Sequence, residues 1–242
     1  MKTLFEKVIR FRNPNFKFDE SLNNFALMQF IWIQLSCLIR GFRMLLFFKN
    51  PKGLLLGKNV SFFNFPKIQF GKFLKIGSFT YISALSKNGI TFGNNVSIGA
   101  FSRIIVSTSL NQIGDKIVIG NNVGIGEFAY IGGAGGLEIG DECIIGRYLS
   151  CHPENHNYQD VNISIRHQGV SRKGIKIGNN CWIGSKVTIL DGVIIGNGCI
   201  IAAGSVLTKS FPENSIIGGI PSKILKFRTN ELKNNCSYLL CC

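Results

Sequence analysis

The sequence has no CxxC pair, no GxSxG and only three histidines among its 242 residues. Without CxxC or clustered Cys and His, the usual zinc and thiol-redox sites are excluded and no metal is expected. Without a strained serine turn of the GxSxG kind, a covalent acyl-serine intermediate is excluded as well. Acidic residues are scarce, 13 Asp and Glu against 27 Lys and Arg, for a net charge of +14. The imbalance sits at one end. Residues 1–75 carry 13 cationic against 3 acidic side chains, and residues 76–242 carry 14 against 10. A basic, apolar segment points to an anionic surface, and residues 1–50 are a candidate for peripheral membrane contact. A nucleic-acid partner is not expected, because no helix-turn-helix, zinc-finger or RNA-binding signature accompanies the charge.

Long apolar runs are also missing. The run within 25–48 that ends before Arg40 is about 15 residues, short of the roughly 20 that cross a bilayer. It reads as an amphipathic helix that either covers an open core or lies on a lipid surface. No cleavable leader opens the chain, so the eight cysteines read as reduced core fillers in the cytoplasm. Prolines number 6 and glycines 28, with 45% hydrophobic residues, a composition that excludes a disordered chain.

What the chain does have is a period of six. Ile177, Ile183, Ile189, Ile195 and Ile201 follow one another at that spacing, and Leu207 continues it. Gly178, Gly184 and Gly196 come directly after three of them, with Ala202 in the same place after Ile201. Six is neither the helical 3.6 nor the plain 2 of a strand. It fits a very short strand, a turn and a return to the same inward position, a hexapeptide β-helix. Glycine there suits a positive φ or a close backbone approach. Val60, Ile68 and Leu74 are candidate inward positions of irregular first coils, and the hexad is legible from Ile76 through Ile145 with a break at 107–112.

The period then fails over 148–173, a loop of a length that tends to carry function. His152, His156 and His167 all lie in it, so proton transfer near neutral pH has no other imidazole to use. An alcohol attacks a thioester poorly unless a base takes its proton, and a positioned imidazole supplies that. Glycine-rich turns near Gly184 or Gly204 are candidate N–H donors for an oxyanion. Glu127 is the candidate to orient the base, with Asp141 behind it.

The set IGNNCWIG, AAGSVLTK and GGIPSKIL after a histidine loop resembles the left-handed β-helix (hexapeptide-repeat) acyltransferases. Within them it is most similar to O-acetyltransferases of galactosides, maltose and surface polysaccharides. The resemblance covers about residues 60–228. It implies an all-β fold, a left-handed parallel β-helix preceded by a helical segment over 1–59 and followed by a tail over 229–242. It also implies acetyl-CoA as co-substrate, a sugar or polysaccharide acceptor, and a homotrimer whose sites lie between neighbouring subunits. His156, in HNYQD, matches the base of the polysaccharide enzymes, and its offset of 21 residues to Ile177 also fits the family's loop, so the resemblance selects His156 as the base. His152, in a His-Pro pair, matches that of the sugar enzymes and otherwise lines the acceptor site. Trp182 is implied as a wall of the cleft. Ser185, Ala203, Gly204, Thr208 and Lys209 match positions that seat coenzyme A, and Lys223 and Lys226 match those that meet its nucleotide phosphate. Two other classes stay open: an N-acetyltransferase of an amino sugar, and a β-helix with no catalytic role.

Overall fold

Strands of two or three residues carry the hexads, and each is followed by a turn that bends the chain by a third of a circuit. In a computed structural model describing residues 2–10 and 16–228, these strands stack into three parallel sheets forming a left-handed β-helix. The first sheet runs from Leu55–Leu56 through Ile144–Ile145 and Trp182–Ile183 to Ser215–Gly219, where Ser222–Phe227 adds antiparallel. The second runs from Ser61–Phe63 through Ser150–His152 and Thr188–Leu190 to Val206–Leu207. The third runs from Ile68–Phe70 through Ile175–Ile177 to Ile194–Ile195. Register places isoleucine on isoleucine, Ile125 on Ile145, Ile145 on Ile183 and Ile183 on Ile201. Every one of these side chains is buried in a single continuous core. Each contributes roughly 1.5–3 kcal/mol of burial.

The three corners are built differently. Between the third and first sheets, Asn94, Asn121, Asp141, Asn179 and Asn197 form a ladder. The side-chain oxygen of each accepts the backbone N–H of the matching residue one coil earlier, at 2.6–2.9 Å. Just inside it, the thiols of Cys143, Cys181 and Cys199 face the carbonyls of Gly178, Gly196 and Pro212. Between the first and second sheets, Phe79, Phe101, Phe128 and Tyr148 stack ring on ring, centroids 5.0–5.2 Å apart. All four hold φ near +60°, which costs an L-residue about 1–2 kcal/mol. Stacking returns about 0.5–1.5 kcal/mol per pair, and with three pairs for four residues the rings recover part of their own strain. The glycines after the isoleucines answer the other need. A Cβ on Gly77 would sit 2.3 Å from the amide nitrogen of Ala100 in the next coil, so close approach, not positive φ, selects glycine there.

Two boundaries shift from the sequence reading. The first coil begins at Leu55, ahead of residue 60, because Leu54 and Leu56 are already core. The loop expected over 148–173 begins after His152, because Leu149 and Cys151 still point inward, with Cys151 standing where the hexad has isoleucine. Val60, Ile68 and Leu74 are buried as expected. Ahead of the coils, α1 (Lys2–Arg10) and α2 (Asn24–Gly41) lead into a 3-10 turn, Phe42–Phe47. Asn23 caps α2, its side chain accepting from the Ala26 N–H at 2.7 Å. Met44 of the turn joins the core cluster and closes its N-terminal end. The tail at 229–242, with its terminal cysteines, lies outside the described residues.

Candidate functional site

The third corner, between the second and third sheets, is where the chain leaves the repeat twice. One excursion follows Arg103–Ile105 and returns at Gly114–Ile119; the other follows Ser150–His152 and returns at Ile175–Ile177. A single guanidinium ties them together. Arg172 Nε bonds Glu154 Oε2 at 2.6 Å, and its two terminal nitrogens donate to the carbonyls of Ile113 and Gln112 at 3.3 and 3.2 Å. Bidentate reach of this kind is what arginine offers over lysine. The long loop also braces itself. Gln168 Nε2 donates to the carbonyls of Asp160 and Ile163, and Asp191 accepts the N–H groups of Lys173 and Gly174 where the chain re-enters the coil.

Under the two loops lies a cleft of 420 Å³ whose lining includes Thr108, Tyr130, His152, Glu154, His156 and Arg172. His152 ends a strand of the second sheet, with Cys151 beside it turned into the core. Its Nε2 meets Ser150 Oγ at 2.7 Å, and its ring stacks on Tyr130 with centroids 5.2 Å apart. Partial desolvation of the imidazole against the cleft wall, at a residue that stays open to solvent, disfavours its charged form and lowers its pKa below the ordinary value. His156 lies four residues on, in a two-residue strand paired antiparallel with Val170–Ser171. Among the described residues no side-chain hydrogen bond holds its ring. His167 sits in the 3-10 turn Ile165–His167, outside the lining of the cleft.

The other expected residues divide by corner. Leu190 stands in register with His152, and Thr208 follows Leu207 in the next coil of the same sheet. Parallel strands lie about 4.8 Å apart, so Thr208 and Lys209 continue along that sheet edge about 10 Å from His152. Trp182 is on the first sheet, 40% exposed, between Ile144 and Ile200. Ser185, Ala203 and Gly204 occupy the corner that follows the first sheet, and Lys223 and Lys226 sit exposed on the antiparallel strand. Within one chain these do not share a groove with His152.

Three expected positions have other partners within this chain. Glu127 is at the aromatic corner, where it pairs with Arg147 at 3.3 Å. Asp141 belongs to the asparagine ladder at the remaining corner. The amides of Gly184 and Gly204 themselves make coil-to-coil bonds to Ile201 and Ser185 at 2.8 and 2.9 Å, so an oxyanion donor from these turns would have to be a neighbouring amide. Sequence reading missed Arg172, Glu154, Ser150 and Tyr130. The first two carried a signal only in being opposite charges within one loop.

Comparison with known proteins agrees with this architecture. A family model described as bacterial transferase hexapeptide (six repeats) matches residues 174–209. The chain is 30% identical over 158 residues to a protein of Escherichia coli K12 named as a lipopolysaccharide-biosynthesis O-acetyltransferase. That overlap covers 60% of this chain and 74% of the relative. It is also 30% identical over 139 residues to a Mycobacterium tuberculosis protein named as an acetyltransferase, across 57% of this chain and 44% of that one. Among solved structures, a Bacillus cereus N-acyltransferase crystallised with dTDP and coenzyme A aligns over 74% of this chain and 83% of that one. Sequence identity there is 20% and the TM-score 0.49.

Proposed function

The chain belongs to the hexapeptide-repeat acetyltransferases, and we propose that it moves acetyl from acetyl-CoA to a carbohydrate hydroxyl. The acceptor we propose is a bacterial surface polysaccharide or its precursor, the substrate class named for the E. coli relative. One observation carries the reading: an imidazole fixed in a cleft at the corner where, among the described residues, the repeat opens twice.

His152 is the base in this proposal, in preference to His156, because its ring is held on two sides. The tautomer that donates from Nε2 to Ser150 Oγ leaves the lone pair on Nδ1. Nδ1 takes the acceptor's proton as its oxygen attacks the thioester carbonyl. The tetrahedral intermediate collapses with cleavage of the carbon–sulfur bond, and the thiolate recovers the proton from the imidazolium. Partial desolvation favours the neutral ring that this step needs at pH 7.

The acyl donor is proposed to run along the second sheet towards Thr208 and Lys209. Lys223 and Lys226, exposed at the C-terminal end, offer charge to its phosphates. Trp182, Ser185, Ala203 and Gly204 join a site only by facing the cleft of a neighbouring copy. The exposed apolar row of Ile144 and Trp182 on the first sheet suits such a neighbour, and a homotrimer completes the proposal. The compartment in this proposal is the cytoplasm, a reading supported by buried free thiols such as Cys143 and Cys181.

Thiol release from acetyl-CoA, measured with a panel of oligosaccharides and amino sugars, tests the reading. Release that depends on a hydroxyl acceptor, with an ester product cleaved by mild base, is expected. Transfer confined to amines, or none to any carbohydrate, would overturn it.

A further inference from the structure

The N-terminal cap presents two apolar sides, and among the described residues only one has a partner. On the inner side Leu27, Cys37, Gly41 and Met44 are buried. Arg40 Nε donates to the Leu56 carbonyl at 2.8 Å, and Gly41 packs so near Leu54 that a Cβ would sit 2.0 Å from its carbonyl oxygen. On the outer side Phe25, Met28, Trp32, Leu35, Ile39, Phe42 and Leu46 recur at alternating steps of three and four, one stripe along the helix. All are exposed, Phe25 at 79% and Trp32 at 72%. A cap meant only for water would carry polar side chains there.

Charge around the cap is of one sign. From Ser21 to Gly114 the chain contains no Asp or Glu, and it contains ten Lys and Arg. Folded, that stretch is α2 and the first coils. Lys58, Lys67 and Lys72 stand exposed at the three corners of the first coil, a cationic rim just below the apolar cap. Against the rim lies a cleft of 410 Å³ lined by Lys49, Lys52, Gln69 and Phe70 among others. Lys49 Nζ donates to the carbonyls of Phe65, Pro66 and Ile68, and Lys52 Nζ to that of Phe70. Among the described residues neither ammonium has a carboxylate partner. Burial, then the charge of Lys52, pushes the Lys49 pKa down, the state an incoming anion would relieve. Leu45, Leu46, Phe47 and the fully exposed Phe48 lead directly into this pair.

We propose that the cap is a docking surface for an anionic lipid bilayer. The outer stripe of α2 and residues 45–48 enter the interface, while Lys49, Lys52 and the corner lysines meet lipid phosphates. Apolar side chains flanked by cations at headgroup depth are what an interfacial helix requires. A second copy is a poor occupant, since it would bring two carboxylate-free cationic rims together. Residues 24–47 are long and apolar enough to cross a bilayer by length and composition. Crossing would strip Met44 and Leu54 of the core they share. Docking brings the acceptor cleft, four coils further along, within about 20 Å of the docked end by the spacing of parallel strands. The surface itself does not depend on the acetyl-transfer reading.

The test is co-sedimentation of the full chain with vesicles of phosphatidylcholine, with and without phosphatidylglycerol. In parallel, Trp182→Phe leaves Trp32 as the sole tryptophan for quenching by brominated lipid. Expected are at least tenfold stronger binding to the anionic vesicles, quenching of Trp32, and release by high salt or alkaline carbonate. Leu46→Ser/Phe48→Asn and Lys52→Glu should each weaken binding about tenfold, the first pair without lowering the melting temperature, since Leu46 and Phe48 are exposed. Equal or absent binding to both vesicles, resistance to carbonate, or unchanged binding by both variants would overturn the proposal. So would loss of self-association in Trp32→Ser with no change in vesicle binding.

Discussion

The wall from Ile175 to Leu207 and the corner that carries the loops are built by opposite means. In the wall each inward isoleucine meets the next at the same height, and every turn repeats the one below. At the loop corner almost nothing repeats, and the structure is held by individual polar contacts from Arg172, Gln168 and Asp191. Regular burial gives stability that is shared among many residues. Singular contacts give one geometry, and a cleft, at the cost of depending on each of them. The aromatic corner shows that irregularity alone does not make a site: its four rings sit at strained φ, yet they only stack on one another.

Substitutions should sort along the same line. His152→Ala is expected to cost 10²–10⁴-fold in turnover with an unchanged melting curve, while His156→Ala costs less than tenfold. Steady-state kinetics on both variants decides, and the reverse order would move the base to His156. Ile183→Ala should do the opposite, lowering stability by about 2–5 kcal/mol while the folded fraction keeps its specific activity. Denaturant titration beside an activity assay reads both. Arg172→Ala should lower kcat/KM about 10–100-fold by letting the loops part, close to one tenfold step per 1.4 kcal/mol. Arg172→Lys should rescue little of this, and a drop in melting temperature as large as that of Ile183→Ala would make Arg172 merely structural. Phe101→Gly should change stability by less than about 1 kcal/mol, because relief of φ offsets the lost stacking; calorimetry would show it.

The hexad made the wall legible before any coordinates, down to Val60, Ile68 and Leu74 in the irregular first coils. It failed where another residue type took the inward place. Cys151 fills a slot that elsewhere holds isoleucine, so the loop seemed to begin about one hexad too early. Glu127 was hard to place for a related reason. Distance along the chain counts coils but does not show which corner a residue occupies, and Glu127 turns out at the aromatic one, beside Arg147. The clasp of Arg172 on Gln112 and Ile113 joins residues about 60 positions apart, a pairing that no local pattern announces. The outer stripe of α2 was visible as apolar sequence; that it remains uncovered is a property of the fold.

A ¹⁵N NMR titration of the histidine side chains tests the central assignment most directly, since three imidazoles give a simple spectrum and His152→Gln identifies the relevant one. The geometry predicts that His152 is neutral at pH 7, carries its proton on Nε2 towards Ser150, and titrates below the ordinary imidazole value of about 6.5. As pH falls through that depressed value the ring gains a proton and the base is lost, so turnover should fall over the same range. A proton on Nδ1 at pH 7, or titration at or above about 6.5, would contradict the assignment of His152 as the base.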